Sequence, residues 1–199
     1  MTLRVVIIDN GGANTASLRF ALERIGTTAV LTADPQVIRT ATHVILPGVG
    51  AASDSMSRLR AAGLETVIPK LNQPVLGICL GMQLLYQSSE EGDVRCLGAV
   101  PGTARRMRSA RGRPVPHMGW NQLRHDKVTP LLADVDDRAH AYFVHSYSLP
   151  IGDETVATTE YGESFSAVIA HRNFFGTQFH PERSAATGAT ILRNFLGLH

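Results

Sequence analysis

Residues 75–83 read Val-Leu-Gly-Ile-Cys-Leu-Gly-Met-Gln, and this stretch decides the fold. Its first four residues form a short apolar run typical of a buried strand, and the apolar residues after Gly81 recur at helical spacing. Cys79 therefore stands where the predicted strand meets the predicted helix, with Gly77 and Gly81 close on either side. A nucleophile at such a sharp turn is known as a nucleophile elbow, and the flanking glycines permit the turn. We expect Cys79 to be presented at the carboxyl edge of a sheet.

The chain before residue 75 alternates short strands with helices. Each strand is apolar throughout, which is typical of parallel strands covered by helices on both faces. We therefore predict an α/β fold with a mostly parallel central sheet and helices on both of its faces. The predicted strands are residues 4–8, 29–31, 43–46 and 75–78; the predicted helices are residues 18–25, a short helix opened by Asp34-Pro35, and residues 56–63.

After about residue 92 the pattern changes to strand-like segments joined by turns. Hairpins of this kind require antiparallel pairing, so the central sheet is predicted to be mixed. A closing helix at residues 186–196 completes what we expect to be a single domain over residues 1–199. The segments interpreted as strands are residues 120–123, 141–146, 165–170 and 174–179.

Composition excludes several classes of protein. Nineteen Lys and Arg against 17 Asp and Glu give a formal net charge of +2, too small to predict a nucleic-acid partner. The sequence contains neither a signal-peptide pattern nor the run of about 18 apolar residues that spans a membrane, so we expect a cytoplasmic protein. Two cysteines are too few for a disulfide scaffold. The eight histidines show no metal-ligand spacing, and we predict neither a metal nor a cofactor.

Cys79 is the candidate nucleophile. The partial positive charge at a helix N-terminus favours a thiolate over a thiol, which would activate this sulfur. The five-residue pattern alone fits a buried structural cysteine equally well, because short motifs give false positives. The other cysteine, Cys96, has no comparable surroundings and is interpreted as a packing residue.

A second motif, His180-Pro181-Glu182, follows the apolar run at residues 174–179. A cysteine nucleophile needs a base to move its proton, and the base needs a third group to fix its tautomer. In an extended chain, side chains two residues apart lie on the same side, so Glu182 is placed to orient His180. Cys79, His180 and Glu182 together form a candidate catalytic triad, whereas His-Pro-Glu alone would also fit a surface turn.

A third motif, Pro47-Gly48-Val49-Gly50, follows the strand predicted at residues 43–46. Glycine allows unusual backbone conformations and a close approach of main-chain amides to the sulfur. The amides of Val49 and Leu80 are therefore candidate donors of an oxyanion hole, which stabilises the charge on a tetrahedral intermediate. A plain turn remains the alternative interpretation of this motif.

These three motifs, in this order, resemble the class I (triad) glutamine amidotransferases over nearly the whole chain. Within that class, the segments Pro-His-Met-Gly-Trp-Asn at 116–121 and Tyr-Phe-Val-His-Ser-Tyr at 142–147 resemble the glutaminase subunits of imidazole glycerol phosphate synthases. The resemblance implies release of ammonia from glutamine and its transfer, without meeting bulk water, to a partner protein. That partner would be a (β/α)₈ cyclase in a heterodimer, and the product would enter histidine biosynthesis.

The same resemblance implies roles for further residues. Those expected around the glutamine are Gly48, Gly50, Gln83, Ser146 and Tyr147, and those expected toward the partner are Asn14, Trp120, Asn121 and Tyr142. The loop at residues 9–15 departs from the family pattern Asp-Tyr-Gly-x-Gly-Asn-Leu, because it reads Asp-Asn-Gly-Gly-Ala-Asn-Thr. Only the contact of this loop with the partner is affected, since the triad lies elsewhere.

Three alternatives remain open at this point. The chain could be the glutaminase subunit of another class I amidotransferase, or a stand-alone thiol hydrolase such as a γ-glutamyl hydrolase or a DJ-1-like protein. It could also be a scaffold subunit that has lost catalysis. The spacing of Glu182 from His180 and the segment at residues 116–121 favour the amidotransferase, and the presence of all three triad residue types argues against a scaffold.

Overall fold

An eight-stranded sheet organises the protein in the computed structural model, which describes residues 3–11 and 15–199. The strands of this sheet and of two smaller sheets are β1 Val5–Ile8, β2 Ala29–Thr32, β3 His43–Gly48, β4 Val75–Cys79, β5 Ser88–Ser89, β6 Val94–Arg95, β7 Thr103–Arg106, β8 His117–Gln122, β9 Arg124–His125, β10 His140–His145, β11 Tyr147–Ser148, β12 Thr155–Tyr161, β13 Glu163–His171 and β14 Phe174–Thr177. The α-helices are α1 Thr15–Arg24, α2 Pro35–Thr40, α3 Ala52–Ala61, α4 Leu80–Leu84 and α5 Ala185–Leu196. Short 3₁₀ turns cover Leu64–Thr66, Ile68–Lys70, Pro130–Leu132 and Pro181–Arg183.

The large sheet is mixed, as predicted. Its strand order is β2-β1-β3-β4-β14-β13-β12-β9. The strands from β2 to β14 are parallel, and β13, β12 and β9 are added by antiparallel pairing. Beside it lie the two-stranded sheet β10-β8 and the four-stranded sheet β11-β7-β5-β6.

Helices cover both faces of the sheet, which confirms the predicted architecture. Val6 and Ile8 of β1 face a core formed with α2, α3 and α4, whereas Val5 and Ile7 face a core formed with α1 and α5. Side chains alternate between the faces of a strand, so a strand buried on both sides must be apolar at every position. This explains the continuous apolar runs in the first half of the sequence.

The second half of the chain contains a largely buried strand that its sequence did not indicate. Strand β12 is buried at its first five positions although it reads Thr-Val-Ala-Thr-Thr-Glu-Tyr. Its hydroxyls are satisfied within the protein: Thr159 Oγ1 donates to the Gln122 carbonyl at 3.0 Å, and Thr155 Oγ1 lies 2.7 Å from Ser166 Oγ. Buried hydroxyls tolerate the interior only with such partners, which a sequence pattern does not reveal.

Two boundaries next to the predicted site also differ from expectation. Strand β3 continues through Pro47 and Gly48, and β14 ends at Thr177 instead of residue 179. Gly48 is thereby paired with Cys79 across β3 and β4. The carboxyl ends of three adjacent parallel strands, β3, β4 and β14, therefore meet at one point on the edge of the sheet, which is where open α/β sheets bind ligands.

Among residues 3–11 and 15–199, no helix combines the length and apolar character needed to cross a membrane.

The helix after the cysteine packs directly onto the neighbouring strand through Gly81. A Cβ atom added at Gly81 would lie 1.8 Å from the Leu46 carbonyl oxygen, far inside van der Waals contact. A Cβ at Gly48 would likewise lie 2.7 Å from the Gly81 amide nitrogen. These two glycines let α4 approach the backbone of β3 closely enough to hold the turn at Cys79.

We predict that Gly81→Ala lowers the free energy of unfolding by about 1–3 kcal/mol or more. The added methyl group would clash with the main-chain carbonyl of Leu46, which cannot move away without distorting β3. Urea denaturation is the measurement. Gly197→Ala is the matched control, since a Cβ there would lie at ordinary contact distances of 3.5 Å from Asn194 O and 3.8 Å from Arg193 O. Equal stability of the two variants would contradict the packing role of Gly81, all the more because alanine is the better helix former.

Candidate active site

The backbone at Cys79 is strained. Its φ of 53° and ψ of −112° lie in a region that residues with a side chain rarely adopt, as is common at functional sites. The predicted reason for the flanking glycines needs correction, because the unusual dihedral falls on the cysteine itself. Gly77 and Gly81 instead permit close packing: a Cβ at Gly77 would lie 2.7 Å from the Gly81 carbonyl oxygen.

The side chain of Cys79 is largely buried, with only 7% of the residue exposed to solvent. Its thiol donates to the Val144 carbonyl at 3.6 Å, and Gln178 Nε2 donates to the sulfur at 3.8 Å. Cys79 also immediately precedes α4, so the sulfur lies near the positive end of that short helix. The nucleophile is thus fixed by two long hydrogen bonds and by its backbone.

His180 and Glu182 form the hydrogen-bonded pair that the sequence predicted, but through a different local structure. His180 Nδ1 donates to Glu182 Oε1 at 2.9 Å, and the two side chains are only 13% and 9% exposed. The expected extended chain is wrong here, because Pro181–Arg183 forms a 3₁₀ turn that begins after His180. With Nδ1 committed to the carboxylate, Nε2 is the ring atom that serves Cys79.

The surroundings of His180 favour its charged form. Burial disfavours the imidazolium, but the hydrogen bonds and charges of Cys79 and Glu182 outweigh burial and raise the pKa of His180 to about 10. An imidazolium beside a cysteine favours the thiolate over the thiol. The arrangement therefore holds a nucleophile together with a proton donor, which is what cleavage of an amide requires.

A small network anchors the histidine to its neighbours. Ser184 Oγ donates to the His180 carbonyl at 2.7 Å and accepts from the Tyr142 amide at 3.0 Å. The His180 amide donates in turn to the Tyr142 carbonyl at 3.0 Å. A Cβ at Gly188 would lie 1.8 Å from the Pro181 carbonyl oxygen, so α5 packs directly on the 3₁₀ turn. Strand β10 and helix α5 together fix the position of the base.

Two cavities meet at Val144 and His180. The first has a volume of about 200 Å³ and includes Cys79 in its wall. The second, of about 190 Å³, shares Val144 and His180 with the first and adds the apolar Leu18 and Ile78. The residues predicted to surround the reaction that lie in the wall of the first cavity are Gly48, Val49, Gly50, Leu80, Gln83 and Ser146.

Gln83 and Tyr147 are joined behind the first cavity. Gln83 is 3% exposed, and its Nε2 donates to the Tyr147 carbonyl at 2.8 Å and to Gln178 Oε1 at 3.0 Å. Tyr147 is not among the residues of the cavity wall; its main-chain carbonyl supports Gln83 instead.

Glu91 is a residue of the first cavity that the sequence reasoning missed. Its Oε2 accepts from the Ala52 amide at 2.9 Å, which secures the start of α3 beside Gly50. Burial raises the pKa of Glu91, partly opposed by that hydrogen bond. A carboxylate facing a cavity that ends in a thiol suits a ligand with a cationic group. Nothing in the sequence around Glu91 marks it, because it lies in a turn after β5 and reaches the cavity only through folding.

Val49 and Leu80, the candidate oxyanion donors, directly follow the ends of the neighbouring strands β3 and β4. Leu80 directly follows Cys79 as the first residue of α4, and Val49 follows Gly48, the residue paired with Cys79. Gly50 has a φ of +86°, so the chain turns away from the sheet directly after Val49. The assignment of these amides to an oxyanion hole stays a prediction.

The residues predicted to face a partner lie on the β8-β10 sheet beside the cavities. Trp120 is 53% exposed and packs edge to face against Tyr142 with ring centroids 5.8 Å apart. Met118, on the same face of β8, is 63% exposed. Asn121 projects from the opposite face, where its amide makes intramolecular hydrogen bonds. Asn14 lies outside the described residues.

Comparisons with known proteins agree with this geometry. The family model described as glutamine amidotransferase class-I matches residues 6–197. The imidazole glycerol phosphate synthase subunit HisH of Xanthomonas axonopodis pv. citri is 55% identical over 96% of both chains. The subunit of the same name from Xylella fastidiosa strain Temecula1 is 52% identical, again over 96% of both.

Among solved structures, a GMP synthase subunit protein from Thermoplasma acidophilum shares the fold with a TM-score of 0.77. It is 20% identical, and the match covers 99% of this chain and 94% of the other. The chain belongs to the class-I glutamine amidotransferases and, within them, to the family of HisH subunits.

We predict that Glu182→Gln lowers the pKa of His180, because the carboxylate that stabilises the imidazolium is replaced by a neutral amide. Titration of the His180 ring signals by NMR measures the shift. Glu160→Gln is the control, since that exposed side chain is remote from the triad contacts. An unchanged His180 titration in Glu182→Gln would show that the carboxylate does not set the charge of the base.

Proposed function

We propose that this protein is a glutaminase subunit that hydrolyses glutamine with Cys79, His180 and Glu182 and delivers the ammonia to a cyclase subunit in histidine biosynthesis. The observation that carries the proposal is the 2.9 Å hydrogen bond from His180 Nδ1 to Glu182 Oε1 beside a strained nucleophile elbow. Family membership supports the substrate, because its relatives are glutamine amidotransferases. A biosynthetic enzyme of this kind is expected in the cytoplasm.

The geometry suggests a two-step reaction. The Cys79 thiolate attacks the side-chain amide carbon of glutamine, and the tetrahedral intermediate collapses as the C–N bond breaks. His180 gives its proton to the departing nitrogen, which leaves as ammonia, and a glutamyl thioester remains on the sulfur. His180 then accepts a proton from water as the water attacks the thioester, and the C–S bond breaks to restore the thiolate beside the imidazolium. The new carboxyl group loses its proton to solvent and leaves as glutamate. Glu182 keeps the imidazole oriented throughout.

The oxyanion of each tetrahedral intermediate would be stabilised by main-chain amides of Val49 and Leu80. Removing one such donor costs about 2.7–4 kcal/mol of transition-state stabilisation in other enzymes. Both residues line the first cavity together with Cys79. The positive φ of Gly50 places a conformationally adaptable residue directly after Val49, so the Val49 amide is the donor whose direction a partner could change.

We assign recognition of glutamine to the part of the first cavity that is lined by Gln83, Glu91 and Ser146. Gln83, Ser146 and the Gly48 to Gly50 main chain offer polar groups for the substrate, and Glu91 supplies a carboxylate for its α-ammonium group. Tyr147 contributes indirectly, since its carbonyl holds Gln83 in place. A carboxylate is the natural partner for an ammonium group in a partly buried site.

The second cavity suggests the route by which ammonia leaves. It begins at His180 and Glu182 and is bounded by the apolar Leu18, Ile78 and Val144. Val144 belongs to the same face of β10 as Tyr142, which lies beside the exposed Trp120. Exposed aromatic and sulfur-containing side chains of this kind are enriched at protein interfaces. The proposed partner, a cyclase with a (β/α)₈ barrel, would cover this face.

We predict that Cys79→Ser abolishes glutamine-dependent synthesis by the complex with the cyclase but leaves ammonia-dependent synthesis intact, because only ammonia release requires the thiolate. Product formation from glutamine and from ammonium salts measures the two activities. Cys96→Ser serves as the control for a buried thiol outside the site. Equal loss of synthesis with both nitrogen sources would indicate that Cys79 is needed for assembly instead of catalysis. Full glutaminase activity of the isolated wild-type subunit would favour a stand-alone hydrolase.

We predict that Glu91→Gln raises the KM for glutamine at least tenfold with a smaller change in kcat, since it removes a charge partner from the substrate and not from the reacting atoms. Initial rates over a range of glutamine concentrations measure both constants. Glu90→Gln is the matched control, because the neighbouring Glu90 binds the Arg106 amide on the exposed side. A loss confined to kcat would contradict the assignment of Glu91 to substrate binding.

A further inference from the structure

A pair of histidines lies buried beneath the β8-β10 sheet and takes no part in the proposed reaction. His117 and His145 are 2% and 6% exposed, and His117 Nδ1 lies 3.0 Å from His145 Nε2. The pair is surrounded by aromatic rings, with His117 stacked on Tyr161 at 4.0 Å and His145 packed edge to face on Phe165 at 5.0 Å. Buried side-chain nitrogens require hydrogen-bond partners, so the bonds of this pair are part of its structure.

The hydrogen bonds of the pair can run in only one direction. His145 Nδ1 lies 2.9 Å from the Tyr147 carbonyl oxygen, which can only accept, so His145 Nδ1 carries the proton. In the neutral ring Nε2 must then accept, and the donor to it is His117 Nδ1. His117 Nε2 accepts in turn from Asn121 Nδ2 at 3.3 Å. Both tautomers are therefore fixed by the neighbouring groups.

The outer end of this chain of bonds is fixed in the same way. Asn121 Nδ2 also donates to the Glu160 carbonyl at 2.9 Å, and Asn121 Oδ1 accepts from the Gln122 amide at 2.8 Å. These main-chain partners allow only one orientation of the amide. Asn121 thus ties β12 to β8 directly beside Trp120, the exposed residue of the proposed partner surface.

The inner end of the chain of bonds reaches the nucleophile. The Tyr147 carbonyl accepts from both His145 and Gln83, and Gln83 donates to Gln178. Gln178 donates to the sulfur of Cys79 at 3.8 Å. His145 itself borders the first cavity next to Ser146. A continuous set of hydrogen bonds therefore runs from the partner-facing sheet to the glutamine cavity and the thiol.

Both histidines are kept neutral, as this chain of bonds requires. Burial lowers the pKa of His117 to about 4. Burial likewise lowers the pKa of His145 to about 3, with the bond to the Tyr147 carbonyl opposing this effect and the neighbouring rings of His117 and His180 adding to it. A neutral His145 keeps one acceptor for His117 and places no charge beside His180.

We propose that His145 and His117 are positioning residues of the glutaminase site: they hold the Tyr147 carbonyl in place for Gln83 and connect that support to Asn121 on the partner-facing sheet. The proposal rests on the proposed function, because the support matters only if glutamine occupies the first cavity. It predicts an effect on glutamine binding from residues that do not touch the reacting atoms.

Two substitutions at one position test the inner bond. An asparagine amide can occupy the place of His145 Nδ1 and still donate to Tyr147, whereas a glutamine amide reaches the place of Nε2 and loses that donor. In the complex with the cyclase, His145→Gln is expected to raise the KM for glutamine about threefold to tenfold, the ratio expected for one neutral hydrogen bond. His145→Asn is expected to keep a KM near that of the wild type. A purely structural role predicts the reverse order, since asparagine leaves the larger void.

His117→Phe tests the outer bonds and has a matched control in His43→Phe. His43 is also a buried histidine bonded to a carbonyl, Leu198 O at 3.0 Å, but it lies at the opposite end of β3. In the complex with the cyclase, His117→Phe is expected to raise the KM for glutamine as His145→Gln does, because the connection between Asn121 and His145 is lost. His43→Phe is expected to change stability alone. Urea denaturation and the ammonia-dependent rate confirm that each variant is folded and assembled.

Equal KM values for His145→Gln and His145→Asn in folded protein would overturn the positioning role, as would an equal rise of the KM in His117→Phe and His43→Phe. Failure of the proposed function itself would be seen differently, as absence of glutaminase activity in the wild-type complex. Synthesis from ammonium salts must stay unchanged in all variants under the proposal, because none of these bonds reaches the partner's chemistry.

Discussion

The close contact between helix α4 and strand β3 is the constraint on which the rest of the site depends. Gly81 lies against the Leu46 carbonyl with no room for a side chain, and Gly48 lies against the Gly81 amide. The chain can meet this demand only by turning sharply between β4 and α4, so Cys79 is forced into its positive φ. The strain at the nucleophile is therefore supplied by packing in the two hydrophobic cores, where each strand is held from both faces.

The second half of the chain is arranged around this fixed point. Strand β14 pairs with β4 and brings His180 to the same edge, and β10 holds His180 through its main chain and through Ser184. The same strand supplies the Val144 carbonyl that accepts from the thiol. One strand of a small accessory sheet thus contacts both Cys79 and His180, while Tyr142 on the same strand packs against the exposed Trp120 of the proposed partner surface.

The sequence was sufficient for the features that follow from local pattern. Apolar runs indicated the parallel strands, and the spacing of His180 and Glu182 indicated their pair. The sequence was insufficient where burial depends on distant partners. The threonines of β12 make it read as an exposed polar segment, yet it is buried because hydroxyls of the strand bond to Gln122 and Ser166, which other strands supply. Glu91 was missed for the same reason, and the 3₁₀ turn after His180 was hidden because two residues two apart can meet in either a strand or a tight turn.

The contact of Gly188 with the Pro181 carbonyl has a consequence for how such an enzyme can diverge. Main-chain packing at Gly188 and at Gly81 supports His180 and Cys79 and does not involve the side chains of Gln83 or Glu91. Side chains such as Gln83 and Glu91 can therefore be exchanged by selection or by design while the geometry of amide cleavage is retained. In this fold, substrate specificity and cleavage of the amide bond depend on different parts of the structure. New substrate preferences can therefore evolve by a few substitutions while the fold is retained.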